Sequence, residues 1–153
     1  GADVAPYGAS THPYLSCDGR PVDECVLRSP ARSVLDVDER LSPLEVVPAA
    51  DLGLELTGTA PLGAVSIDHA FTDLPEDGWT VSLADPTTRL TVRLHARAPW
   101  LQIYSGELVG RRGVAVEPMT CPPDAFNSGT DLVELAPGEE HTLELRIDAT
   151  VAA

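Results

Sequence analysis

The sequence predicts an all-β fold, an antiparallel sandwich or barrel, and three observations carry that expectation. Fourteen prolines and twelve glycines punctuate the 153 residues every few positions. No segment holds an apolar stripe at i, i+3, i+4 and i+7, so long helices have nowhere to form. Short runs of alternating apolar and polar residues recur instead, each bounded by turn residues. Many short strands at close spacing bury their apolar faces most readily by pairing in antiparallel sheets.

Taken in order, residues 25–27 and 33–37 are the first candidate strands. The charge run Asp36-Val37-Asp38-Glu39-Arg40 reads as a solvated loop. Residues 79–83 form the next strand, between the turn clusters Glu76-Asp77-Gly78 and Asp85-Pro86. In residues 90–96, Leu90, Val92 and Leu94 face a core, and Thr91, Arg93 and His95 face outward. Residues 101–104 and 114–117 follow, separated by Gly110-Arg111-Arg112-Gly113. Residues 141–148 close the series after Pro137-Gly138. There Leu143, Leu145 and Ile147 point one way, and Glu144, Arg146 and Asp148 the other, a period of two with one buried face. No internal repeat or low-complexity tract interrupts this pattern.

Composition narrows the function classes. The chain is 43% hydrophobic and 22% charged, which is not the composition of a disordered segment. Ten basic and 24 acidic residues give a formal charge of -14. Such a surface repels phosphate backbones and anionic lipid, so nucleic acid and membrane partners are disfavoured. A neutral small molecule meets no such penalty. No apolar run approaches the ~20 residues needed to cross a bilayer. Three cysteines, Cys17, Cys25 and Cys121, lack CxxC spacing and suit the reduced thiols of a cytoplasm. A Cys17–Cys25 bridge is the alternative. Four histidines show neither HxxxH nor HExxH spacing, so no metal site is expected. The opening run from Gly1 is loop-like and carries no Met, and it reads as though cut from something longer.

Three patches place polar residues beside prolines and aromatics. In Thr11-His12-Pro13-Tyr14-Leu15, proline pushes His12 to extended geometry. That can aim its ring into a cleft, or leave it stacked on Tyr14 as an ordinary loop histidine. In Ser66-Ile67-Asp68-His69-Ala70-Phe71, adjacent Asp68 and His69 project to opposite sides of an extended chain. They cannot both serve one pocket unless the chain turns. Asp68 either accepts hydrogen bonds from hydroxyls or caps a turn. The third patch joins Pro99-Trp100-Leu101-Gln102-Ile103-Tyr104-Ser105-Gly106 to the run Val114-Ala115-Val116-Glu117-Pro118-Met119. Glu117 ends an apolar strand, where burial can raise a carboxyl pKa and make it a base near neutral pH. A structural Glu paired with Arg111 or Arg112 is the other reading.

The runs His12-Pro13-Tyr14-Leu15, Asp68-His69-Ala70-Phe71, Leu101-Gln102-Ile103-Tyr104-Ser105-Gly106 and Val116-Glu117-Pro118-Met119-Thr120-Cys121-Pro122-Pro123-Asp124-Ala125-Phe126-Asn127 resemble successive motifs of the aldose 1-epimerases, or galactose mutarotases, and follow that family's order. The last run is the most specific. The resemblance covers residues 1–153 and corresponds to the second half of a family member. It implies a large antiparallel β-sandwich of the galactose mutarotase type, of which this chain is the C-terminal part, with an N-terminal half as its partner. It implies interconversion of α and β anomers of free aldohexoses, with no metal or organic cofactor. By motif match, Glu117 is the general base and His12 the general acid, while Asp68 and Gln102 hydrogen-bond sugar hydroxyls. Trp100 and Phe126 are candidate walls for the sugar's CH face. Another family histidine, and often an arginine, would lie before Gly1, so the isolated chain is expected to be inactive or nearly so. Two alternatives stay open: a non-catalytic sandwich that binds carbohydrate, or an epimerase of sugar phosphates drawing on Arg28, Arg32 and Arg40.

Overall fold

Alternation of buried and exposed side chains builds twelve strands, and a computed structural model describes them over residues 2–152. They are β1 (Ala5–Tyr7), β2 (Tyr14–Leu15), β3 (Val26–Arg28), β4 (Ser33–Val37), β5 (Pro43–Pro48), β6 (Asp68–Thr72), β7 (Trp79–Ala84), β8 (Leu90–Ala96), β9 (Trp100–Tyr104), β10 (Val114–Met119), β11 (Val133–Leu135) and β12 (Leu145–Val151). One short helix, α1 (Ala125–Ser128), follows β10. All strand pairings are antiparallel. A six-stranded sheet runs β2-β10-β9-β6-β4-β5, a four-stranded sheet runs β12-β8-β7-β3, and β1 pairs with β11.

The two larger sheets face each other across one core. Val34, Phe71, Leu101, Ile103, Val114 and Val116 enter it from the six-stranded sheet, and Leu27, Trp79, Val81, Leu83 and Leu94 from the four-stranded sheet. Period-two alternation decides what is left outside. On β10, Val114 and Val116 are fully buried in this core. Ala115, Glu117 and Met119 therefore lie on the sheet's opposite face. A smaller apolar patch of Leu35, Ala70, Trp100 and Met119 supports that second face. Trp100 is held there by its indole N–H, which donates to Asp131 Oδ2 at 2.7 Å.

Several expectations shift in the structure. The strand expected at 141–148 begins at Leu145 and runs to Val151. Among the described residues its one ladder is with β8, where Leu145 pairs with Ala96, so pairing stops where β8 stops. As an edge strand it is covered on one side only, and Ile147 stays 45% exposed. The charge run 36–40 is not wholly a loop. Asp36 and Val37 complete β4, and Asp38 makes the turn by accepting the N–H groups of Arg40 and Ser42 on Oδ1, both at 2.8 Å. Strand β5 has prolines at both ends, which disguise it in the sequence and which an edge position tolerates. Cys17, Cys25 and Cys121 are free thiols. Burial, with Cys17 beside it, pushes the Cys25 thiol up to about 12. Among the described residues, no helix is long and apolar enough to cross a membrane.

Candidate active site

The outward face of the six-stranded sheet collects the polar patches. Strand register sets Glu117 of β10 directly opposite Gln102 of β9, and Gln102 opposite Ala70 of β6. Asp68 lies two residues from Ala70 on the same face, and Gln102 Nε2 donates to its Oδ1 at 2.8 Å. His69 takes the other side of β6, as strand alternation requires. Its Nδ1 accepts the Asp68 backbone N–H at 3.2 Å.

His12 reaches this face from the segment before β2. The Val116 N–H donates to the Pro13 carbonyl at 3.1 Å, which docks that segment against β10 one residue from Glu117. His12 Nε2 then lies 3.1 Å from Glu117 Oε1. The imidazole also packs at 5.0 Å, tilted by 34°, against the Tyr14 ring. Both readings of His12 from the sequence, stacked and aimed into a cleft, are therefore realised in one conformation.

His12, Asp68, Gln102 and Glu117 front a single pocket of 490 Å³. Tyr14, Tyr104, Leu108, Met119 and Pro123 complete it. Trp100 and Phe126 are not its walls. Trp100 is buried beneath the face, and Phe126 lies 67% exposed beside an adjoining hollow. The rings at the pocket belong to Tyr14 and Tyr104. Period-two counting from Gln102 to Tyr104, and from Glu117 to Met119, was the signal available to find two of these neighbours. Tyr104 is fixed because its hydroxyl oxygen accepts the Leu108 N–H at 2.7 Å.

Burial raises the Glu117 carboxyl above the usual glutamate range, His12 pulls it back down, and Asp68 pushes it up further. Its side chain is 12% exposed. The Tyr14 phenol is raised as well, by desolvation and by Tyr104, Glu117 and Asp68. It therefore stays a neutral hydroxyl around neutral pH. The alternative partners for Glu117 are engaged elsewhere. Arg111 binds Asp23, Glu107 and the carbonyls of Gly63 and Val65, and Arg112 donates to the Gly19 carbonyl. Arg28 donates to the Gly58 carbonyl and Arg32 pairs with Asp73; neither they nor Arg40 front the pocket. Among the described residues, no three His, Cys, Asp or Glu side chains converge as metal ligands.

Chemically, the pocket offers a carboxylate of raised proton affinity in contact with an imidazole, beside a second carboxylate and an amide. That set can move protons between oxygens and accept hydrogen bonds from hydroxyls.

Known proteins are similar to this chain in sequence or in fold. A family model for aldose 1-epimerase matches residues 2–148. The uncharacterized protein YihR of Escherichia coli (strain K12) is 42% identical over 147 residues, covering 96% of this chain and 47% of that protein. The GalM/aldose epimerase homologue from C. elegans superposes with a TM-score of 0.83 at 16% identity, over 98% of this chain and 53% of its own. A galactose mutarotase-like protein from Clostridium acetobutylicum gives 0.78 at 15% identity, over 97% and 49%. The two structural likenesses establish the antiparallel β-sandwich. The chain spans about half the length of the relatives it matches.

Proposed function

Because this chain belongs to the aldose 1-epimerase family, we propose that its protein interconverts the α and β anomers of free aldohexoses such as glucose and galactose. The observation that carries this reading is the Glu117–His12 contact of 3.1 Å at the edge of a pocket fronted by Asp68 and Gln102. Glu117 acts as general base and takes the proton of the C1 hydroxyl. The C1 oxygen's electrons form the carbonyl as the C1–O5 bond breaks. His12, as imidazolium, gives its proton to O5. Rotation about C1–C2 presents the other carbonyl face, and the same two transfers run in reverse. Each positioned acid or base contributes about 10²–10⁴-fold. Asp68 and Gln102 hold sugar hydroxyls, and Tyr14 and Tyr104 supply aromatic walls for the CH face.

On this reading the 153 residues are the C-terminal part of one sandwich domain. The partner we assign to it is the N-terminal half of the same protein, which would cover the sheet edges and finish the site. The isolated chain is then inactive or nearly so. The free thiols support a reducing, cytoplasmic setting. The test is polarimetry of freshly dissolved α-glucose with the full-length protein and its Glu117→Gln variant. The variant should lose about 100-fold or more in rate. Full rate in the variant would remove Glu117 as the base, and preference for glucose 6-phosphate over glucose would overturn the choice of free sugar.

A further inference from the structure

We propose that Gln102 is a positioning residue for the proton on Glu117: its amide oxygen accepts a hydrogen bond from the Glu117 carboxyl whenever that group is protonated. The inference rests on the epimerase reading for its catalytic meaning, but its geometry stands apart from that reading. Gln102 Nε2 donates to Asp68 Oδ1 at 2.8 Å. An ionised carboxylate can only accept, so this contact settles which end of the amide is which. With the NH₂ turned to β6, the oxygen is left for the side of β10. That oxygen, Oε1, is buried and has no hydrogen-bond partner among the described residues. A buried carbonyl oxygen without a donor is costly, so a donor within its reach would be bound there.

Register names that partner. Gln102 and Glu117 are directly opposite across β9 and β10, on the same face. Side chains so placed have Cβ atoms about 4.5–5.5 Å apart. Glu and Gln side chains are equally long, so a carboxyl and an amide paired in this register can meet end to end. As a carboxylate, Glu117 is an acceptor facing an acceptor and cannot satisfy Gln102. Protonated, it becomes the missing donor. Its Oε1 already contacts His12 Nε2, which leaves Oε2 to carry the proton. The other titratable groups facing Glu117 are Tyr14 from β2, Asp68 from β6 and Tyr104 from β9. The raised proton affinity of Glu117 agrees with surroundings that favour its neutral form.

In the reaction this places the proton between its two uses. The bond from hydrogen to the C1 oxygen breaks and a new O–H bond forms on Glu117, while O5 is protonated by His12. Gln102 Oε1 then holds the new O–H in place until it returns to the C1 oxygen on either face of the carbonyl, and the second N–H of the same amide is the group left for a sugar hydroxyl.

The test needs no sugar. The Glu117 carboxyl is titrated by carbon NMR in the full-length protein and in Gln102→Leu and Gln102→Met variants. Infrared difference spectra against Glu117→Gln isolate the C=O stretch of protonated Glu117. Loss of the acceptor should lower the Glu117 pKa by about one unit, roughly tenfold in proton affinity. The stretch should move to higher frequency as its O–H loses a partner. An unchanged or raised pKa, or an unmoved stretch, overturns the proposal. If neither variant folds, the native band alone decides, since a hydrogen-bonded acid and a free acid absorb apart. A full-length protein without mutarotase activity would sink the epimerase reading and leave this titration valid. An active protein with an unmoved titration would sink only the role of Gln102.

Discussion

Arg111 is the side chain whose removal separates the scaffold of the site from its chemistry. It is 18% exposed and makes four hydrogen bonds. Two go to Asp23 Oδ1 and Glu107 Oε1, at 2.5 and 2.7 Å, and two to the carbonyls of Gly63 and Val65, at 2.9 and 3.1 Å. It thereby ties the segment before β3, the segment before β6 and the 3₁₀ turn Glu107–Val109 into one block. That turn presents Leu108 to the pocket. In Arg111→Met the aliphatic stem remains and the four bonds are lost. The two carbonyl bonds contribute about 1 kcal/mol each. The two carboxylates are 44% and 36% exposed, so their ion pairs are screened, and each is assigned about 0.5 kcal/mol. The expected loss is about 3 kcal/mol, or a fall in Tm of roughly 6–12 °C for a domain of this size. Urea denaturation with an unchanged m value measures it. A loss below about 1 kcal/mol would mean that the block is not held by Arg111. The same variant settles the older alternative for Glu117. Its carboxyl titration should not move, and a clear upward shift would show that Arg111 had been its counter-charge.

Two further outcomes follow from the same geometry. The folded Glu117 carboxyl has a pKa above its unfolded value, chiefly through burial. Its ionised form is therefore penalised in the folded state at neutral pH, and stability is regained as pH falls through the raised pKa toward the ordinary glutamate range. Glu117→Gln should melt higher than the native protein near neutral pH, with the gap closing as pH falls; a lower Tm at neutral pH contradicts the burial argument. Gly106 has φ +83°, and a Cβ there would overlap the Gly113 carbonyl oxygen. Gly106→Ala should cost about 3 kcal/mol or more. Gly110→Ala, at φ +65° with nothing within 4 Å, should cost about 1 kcal/mol. Equal losses from the two would rule out the clash.

What could be read from the sequence depends on how many strands a residue's neighbours come from. Residues 90–96 are legible because Leu94 and Ala96 point into the core while the strand is paired on both sides, by β7 and by β12, so every position has a settled face. The two- and three-residue strands β1, β2 and β11 hold too few positions for a period to register. The shifted start of β12 has the same origin: Thr142 and Leu143 alternate correctly, but they have no β8 residue to pair with.

The candidate site divides along the same line. Residue types announce themselves locally, since a glutamate after an apolar run and a histidine ahead of proline are visible in a window of five, although Glu117 does not end its strand as expected: Pro118 and Met119 continue the pairing with β9. Their partners are not local. Glu117 could have met Arg111 or Arg112, both near it in the chain, and instead meets His12 from the opposite end of the sequence. What selects His12 is a backbone contact, Val116 N–H to the Pro13 carbonyl, that docks the N-terminal segment against β10. The arginines fall on the far side of a turn that delivers them to Asp23, Glu107 and Gly19. The charge balance of a chain cannot make that choice, because every candidate pair satisfies Coulomb attraction equally well on paper. Strand register makes it. The same register that sets Glu117 opposite Gln102 leaves Gln102 Oε1 without a donor among the described residues. The unpaired oxygen is thus a consequence of the site's assembly, visible only when β6, β9 and β10 are laid side by side.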